Sequence, residues 1–174
     1  AVIVSPVLGW TLLGTLLAAF GANALNQCLE YPRDLQMART CRRAIPSGRV
    51  GIGLGFAWSG LLLGSGTILL TVVVNPVAGA LALLVGLLYV GAYTPLKQRT
   101  SLATLIGAVC GAIPPIIGWV AASGSLSVGA PWVLFAILFL WQIPHFLAID
   151  WFYREDYSRG GFTMVSKVDP TGRL

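Results

Sequence analysis

Residues 50–96 read VGIGLGFAWSGLLLGSGTILLTVVVNPVAGALALLVGLLYVGAYTPL, without one charged side chain. A helix needs about 20 apolar residues to cross the hydrocarbon core, so this run holds two crossings. Asn75-Pro76, a turn composition, divides them. Residues 1–29 and 100–149 are likewise free of charge. The first provides one crossing and the second provides two, divided between Ser123-Gly124-Ser125 and Pro131. The expected fold is an all-α, polytopic transmembrane helical bundle, with five helices near 7–30, 50–73, 77–95, 102–122 and 131–153 in a single membrane domain over 1–174. Composition agrees: 56% of residues are hydrophobic, 10% are charged and the mean hydropathy is +0.81, values that exclude an ordinary soluble domain.

Charge distribution tests the count. All eleven basic residues fall in 33–49, in 97–99 or after 153. Five crossings put these segments on one side, and the uncharged turns at 74–76 and 123–130 on the other. Cytoplasmic loops carry the lysine and arginine excess, which places Ala1 outside and Leu174 in the cytoplasm. The net charge of +5 then serves orientation and attraction to anionic headgroups or phosphates. No aromatic-basic module points to nucleic acid. The chain opens without methionine inside an apolar run and is expected to be a fragment of a longer protein, with no signal peptide indicated. Cys28, Cys41 and Cys110 lack metal-ligand spacing and read as packing residues. Glycines from Gly9 to Gly21, with Gly107, Gly111 and Gly118, read as small surfaces for close helix packing. Pro114-Pro115 and Pro144 are expected to bend the fourth and fifth helices beside a cavity open to the charged side.

The charge that remains is concentrated. Residues 26–49 read NQCLEYPRDLQMARTCRRAIPSGR. Asn26, Glu30 and Asp34 advance about 400° per step, so they share one helical face and span about 12 Å. That suits oxygen ligation of magnesium, which keeps waters and bridges phosphate oxygens. Pro32 is expected to bend or end the helix before Asp34. Arg39, Arg42, Arg43 and Arg49 follow and can compensate the charge of a leaving diphosphate. The plainer reading is a solvated interfacial turn in which the acids pair with Arg33 and Arg39. Lys97 ends the third helix, where it can reach the same site. Tyr93 is either an interfacial anchor or an aromatic wall facing a carbocation. Gln142 and His145 lie three apart on the fifth helix, and a buried polar group there is either a cross-helix hydrogen bond or a functional contact. Asp150 is spaced to pair with Arg154. Asp156 and Tyr157 follow in a second acidic group on the same side.

Taken together, these segments resemble the UbiA-type intramembrane prenyltransferases, and within that family the haem-farnesylating branch (protohaem IX farnesyltransferases, or haem O synthases). The resemblance rests on Ala22–Gly48, on YTPLK at 93–97, GAIPPIIGW at 111–119, WQIPHF at 141–146 and DYSRGGF at 156–162. It implies a bundle of nine helices, of which this chain resembles the second to the sixth. It also implies transfer of the farnesyl group of farnesyl diphosphate to a vinyl group of haem B with water addition, in a bacterial cytoplasmic membrane. Haem A synthase or oxidase assembly proteins are the implied partners. By the resemblance Asn26, Glu30 and Asp34 match the first acidic motif and Asp156, with Tyr157, the second; all four acidic-motif positions are implied ligands of Mg2+. Arg39, Arg43 and Lys97 would contact the diphosphate, Tyr93 would serve the reaction, and His145 would face the haem. The chain alone is expected to be inactive.

Departures from the family pattern are Ala44 where proline is usual, Asp150 where an uncharged residue is usual, and Thr163 with Ser166 in place of FPMLP-like sequence. The competing readings are a prenyltransferase acting on an aromatic acid or quinone precursor, which should lack WQ-x-PHF, and a transporter or structural subunit, which requires no fixed spacing between the two acidic groups.

Overall fold

The computed structural model describes residues 5–126 and 129–168. Ala1 and Leu174, to which sides of the bilayer are assigned above, lie outside the described residues. Five helices are long and apolar enough to cross a membrane: α1 Pro6–Asp34, α2 Ile52–Val74, α3 Pro76–Leu96, α4 Ala103–Ser123 and α5 Ala130–Phe152. Two short helices follow, α6 Arg154–Arg159 and α7 Val165–Val168. No strand occurs among the described residues.

Helix starts and stops follow local chemistry. The Ser5 hydroxyl accepts from the Val7 amide, and Asn75 Oδ1 accepts from the Val77 amide at 2.8 Å, each with proline in the first turn. Gly124, at φ +77°, closes α4 in the left-handed conformation that glycine adopts freely. Pro32 does not end α1. Its ring removes one donor only, so the helix continues through Asp34 and the Leu35 amide closes it on the Tyr31 carbonyl at 3.3 Å. Pro114-Pro115 does interrupt α4, which stops at Ala112 and restarts at Pro114, because two successive donors are missing. Pro144 sits inside an uninterrupted α5.

Ala18, Leu70, Ala78, Ala82, Ile113, Ile116, Ile117 and Val120 form the main core, drawn from α1 to α4. Small residues set the distance between α1 and α2: a Cβ on Gly66 would stand 2.5 Å from the Ala18 nitrogen and 2.6 Å from the Gly14 carbonyl oxygen. Gly9 and Gly118, read above as packing positions, have nothing within 4 Å. α5 packs on the first half of α4 and leaves Trp132, Val133, Ile137, Leu140 and Trp141 exposed.

Two wide π-helical turns, Leu70–Val74 and Leu88–Tyr93, lie inside α2 and α3. The α1–α2 and α3–α4 connections and the segment after α5 hold every described basic residue but Arg33, which sits at the last turn of α1, and the alternation of five helices brings these three segments to one end of the bundle.

Candidate functional site

Because α1 runs through Pro32, Asn26, Glu30 and Asp34 stay on one face, and all three are buried. Each meets a different element. The Asn26 amide nitrogen donates to Thr94 Oγ1 on α3 at 3.0 Å. Glu30 Oε2 pairs with Lys97 Nζ at 2.6 Å, and Asp34 Oδ2 with Arg43 Nη1 at 3.0 Å. The plainer reading, in which the acids pair with Arg33 and Arg39, is therefore corrected. Those arginines are engaged elsewhere: Arg33 donates to the Gly160 and Gly161 carbonyls, and Arg39 lies over the Tyr153 and Tyr157 rings at 5.0 and 5.7 Å.

Glu30 Oε1 and Asp34 Oδ1 are buried with no hydrogen-bond partner among the described residues. Buried carboxylate oxygens in that condition are costly and suit a cation. Among the described residues no three His, Cys, Asp or Glu side chains gather closely enough to enclose a metal. Magnesium does not require such a cage, since one or two carboxylates with waters and substrate phosphate oxygens suffice. The two free carboxylate oxygens thus fit a shared magnesium and diphosphate site.

Lys97 is buried between aromatic faces, its Nζ 4.9 Å from the Phe162 ring centre and 5.2 Å from that of Tyr93. Burial lowers its pKa from the ordinary lysine value, against the opposing charge of Glu30. Asp156 does not join Glu30 and Asp34 directly. Both its oxygens accept backbone amides, Oδ1 from Ala38 at 3.2 Å and Oδ2 from Arg39 at 3.1 Å, and so hold the turn after α1. Tyr157 takes a hydrogen bond from Arg39 at 3.4 Å, and burial pushes its phenol pKa up.

Tyr93 links the charged end to an apolar cavity of about 310 Å³, lined by Ala22, Tyr89, Tyr93, Cys110, Gln142 and Phe146 among others. Tyr93 stacks on Tyr89 at 5.3 Å. Gln142 points inward, donating to the Ala108 carbonyl at 3.5 Å. His145 does not share that face: it is exposed and stacks on Trp141 at 4.7 Å, so the structure leaves it out of the cavity wall.

The expected Asp150–Arg154 pair is absent. Asp150, 2% exposed, accepts the Ser166 amide at 2.8 Å and hydroxyl at 2.6 Å, while Arg154 donates to the Trp151 carbonyl. Two of the departures noted in the sequence are thus partners of each other. A third, Thr163, donates its amide to the Lys97 carbonyl at 2.9 Å and its hydroxyl to that of Gln98 at 3.1 Å.

The sequence profile of the UbiA prenyltransferase family matches residues 1–172. The chain belongs to this family. Together with its five apolar helices, this makes it a multi-pass membrane protein. Curated relatives of the same family are similar over most of the chain. The mitochondrial protoheme IX farnesyltransferase of Arabidopsis thaliana is 44% identical over 99% of this chain and 40% of its own length. That of Solibacter usitatus is 46% identical over 94% of this chain and 56% of its own. The human mitochondrial protoheme IX farnesyltransferase is 46% identical over 92% of this chain and 36% of its own. The chain therefore spans about half, or less, of these relatives' length. No solved structure matches.

Three contributors to the site and its surroundings were missed in the sequence: Thr94, which meets Asn26; Phe162, which underlies Lys97; and Ser166, which holds Asp150. Thr94 and Phe162 lie within the quoted motifs, but nothing in their spacing announces contacts with partners so remote in sequence.

Proposed function

We propose that the protein containing this chain transfers the farnesyl group of farnesyl diphosphate to a vinyl group of haem B, forming haem O, in a bacterial cytoplasmic membrane with the charged end facing the cytoplasm. The observation that carries the reading is the pair of buried, partnerless carboxylate oxygens on Glu30 and Asp34, flanked by Lys97 and Arg43 and joined through Tyr93 to an apolar cavity. The names of the relatives, protoheme IX farnesyltransferase in each case, supply the substrates.

Glu30 and Asp34 would hold Mg2+; the ion supplies electrostatic stabilisation of the departing diphosphate. Lys97 and Arg43 add fixed positive charge where negative charge develops as the allylic C–O bond breaks and its electron pair leaves with the diphosphate. The Tyr93 face stabilises the allylic cation. The vinyl π electrons of haem B then form the new C–C bond to the farnesyl carbon. Water adds to the resulting cation at the former vinyl group and loses a proton, leaving a hydroxyethylfarnesyl side chain. Neighbouring haem A-forming or oxidase-assembly proteins would take up this product.

The test uses the purified full-length protein in lipid nanodiscs with farnesyl diphosphate, Mg2+ and either haem B or 4-hydroxybenzoate. Mass spectrometry should show farnesylated haem alone, with no turnover when the metal is chelated. Prenylation of the aromatic acid alone would refute the haem assignment.

A further inference from the structure

We infer that Gln142, with the backbone carbonyls of Cys110 and Gly111, holds the water that adds to the acceptor once the new C–C bond has formed. This site deepens the proposed function and rests on it.

Two side-chain amides line the apolar cavity, and they differ. Asn23 is committed: its nitrogen donates to the Ala19 carbonyl at 2.9 Å and its oxygen accepts from the Tyr89 hydroxyl at 3.4 Å. Gln142, 8% exposed, donates from its nitrogen to the Ala108 carbonyl at 3.5 Å, while its oxygen accepts no hydrogen bond among the described residues. A buried acceptor in that condition calls for a partner. The slot is shaped for this side chain, since a Cβ on Gly111 would overlap both atoms of its amide. The same wall carries two further acceptors. Pro114 and Pro115 have no amide hydrogen to give the Cys110 and Gly111 carbonyls four residues back, and Cys110, Gly111 and Pro114 all line the cavity. At membrane depth, freed carbonyls are tolerated where they line a cavity that satisfies them. A water requires about two to four polar partners, which these groups provide.

Held by acceptors, the water donates its hydrogens to them and turns a lone pair to the cavity. The same carbonyl dipoles steady the positive charge that develops on its oxygen. Its depth also suits the reaction. Tyr93 packs over Gly107 and Gln142 over Gly111, one turn of α4 further from the charged end, or about 6 Å. The cationic carbon of the acceptor lies two bonds beyond the farnesyl carbon that Tyr93 faces, and an attacking oxygen about 3 Å beyond that. The water lone pair forms the new C–O bond, and the oxonium gives its extra proton to the diphosphate released in the first step. Gln142 is neutral throughout and takes no proton.

The test gives the full-length protein in nanodiscs farnesyl diphosphate, Mg2+ and haem B in heavy-oxygen water, and resolves the products by mass. The wild type should form an alcohol carrying the heavy oxygen. Gln142→Met keeps the bulk of the side chain and removes its oxygen. Without a held water the cation loses a proton from the neighbouring carbon to the diphosphate, giving an alkene lighter by one water. The ratio of alkene to alcohol should rise about 10-fold, the effect of one hydrogen bond. Gln142→Leu serves should the methionine variant lose its fold, and Gly111→Ala, which displaces the amide, should shift the ratio the same way. A wild-type alcohol without the label, folded Gln142 variants that keep the wild-type ratio, or ones that form neither product overturn the water site while the transferase reading stands. No farnesylated haem from the wild type overturns that reading, and the water site with it.

Discussion

Replacing Glu30 by glutamine puts the central ion pair to the sharpest test. Lys97 Nζ lies 2.6 Å from Glu30 Oε2, and both residues are buried. Removing one partner from a buried pair costs about 3–5 kcal/mol, because the other charge is left without its counter-ion. The introduced amide keeps one acceptor oxygen, which returns about 1 kcal/mol. The Phe162 and Tyr93 faces are present in both proteins and do not enter the difference. The expected loss is about 2–4 kcal/mol at pH 7.

The pH dependence has a definite sign. Burial already lowers the folded pKa of Lys97 below the ordinary value of 10.5, and loss of the Glu30 charge lowers it further. The cost of Glu30→Gln is thus fully present below that lowered value. It eases as pH rises toward about 10.5, because there the unfolded chain binds more protons than the folded one. The double variant Glu30→Gln/Lys97→Met removes the stranded charge and should recover most of the loss at pH 7. Reversible unfolding of the full-length protein in bicelles at pH 7 and pH 9 measures all three. A loss below about 1 kcal/mol for the single variant, unchanged between the two pH values, would sink the reasoning. So would a double variant no better than the single one.

Asp34→Asn should abolish Mg2+-dependent turnover in the full-length protein while leaving a folded, monodisperse product; unchanged turnover would remove Asp34 from the set of needed ligands. Gly66→Ala should destabilise by about 1–3 kcal/mol, since the added methyl meets the α1 backbone. Gly64→Ala, with nothing within 4 Å, should be neutral or slightly stabilising in the same unfolding assay. Ser166→Ala removes the 2.6 Å bond to Asp150 and should cost about 1.5–3 kcal/mol locally, seen as faster tryptic cleavage at Arg159 and Lys167, with Ser166→Thr cleaved as slowly as the wild type.

The five helices were legible because uncharged length is a direct physical demand of the bilayer, and the ends fall within a few residues of those expected. The shared face of Asn26, Glu30 and Asp34 was legible from spacing alone. Pro32 misled because a proline removes only its own donor, and the acids flanking it are anchored from outside the helix by Lys97 and Arg43. The partner of Asp150 was illegible for another reason: pair rules on a helix see three or four residues ahead, and Ser166 lies beyond the end of α5. The wide turn behind Thr94 has no pattern in side-chain types, being a property of the backbone ladder. His145 shows the converse, since this polar residue of an apolar helix stacks on its neighbour Trp141 at the exposed face.

The segment after α5 makes contacts that reach well beyond its own short length. It meets the end of α1 through Arg33 and through Asp156 on the Ala38 and Arg39 amides, the end of α3 through Thr163 on Lys97 and Gln98, and α5 itself through Ser166 on Asp150. Three helix termini far apart in sequence are thereby made into one cooperative unit. Amide exchange at 31–40, 96–99 and 150–166 should accordingly proceed with a common opening free energy, distinct from that of the core around Leu70 and Ile117.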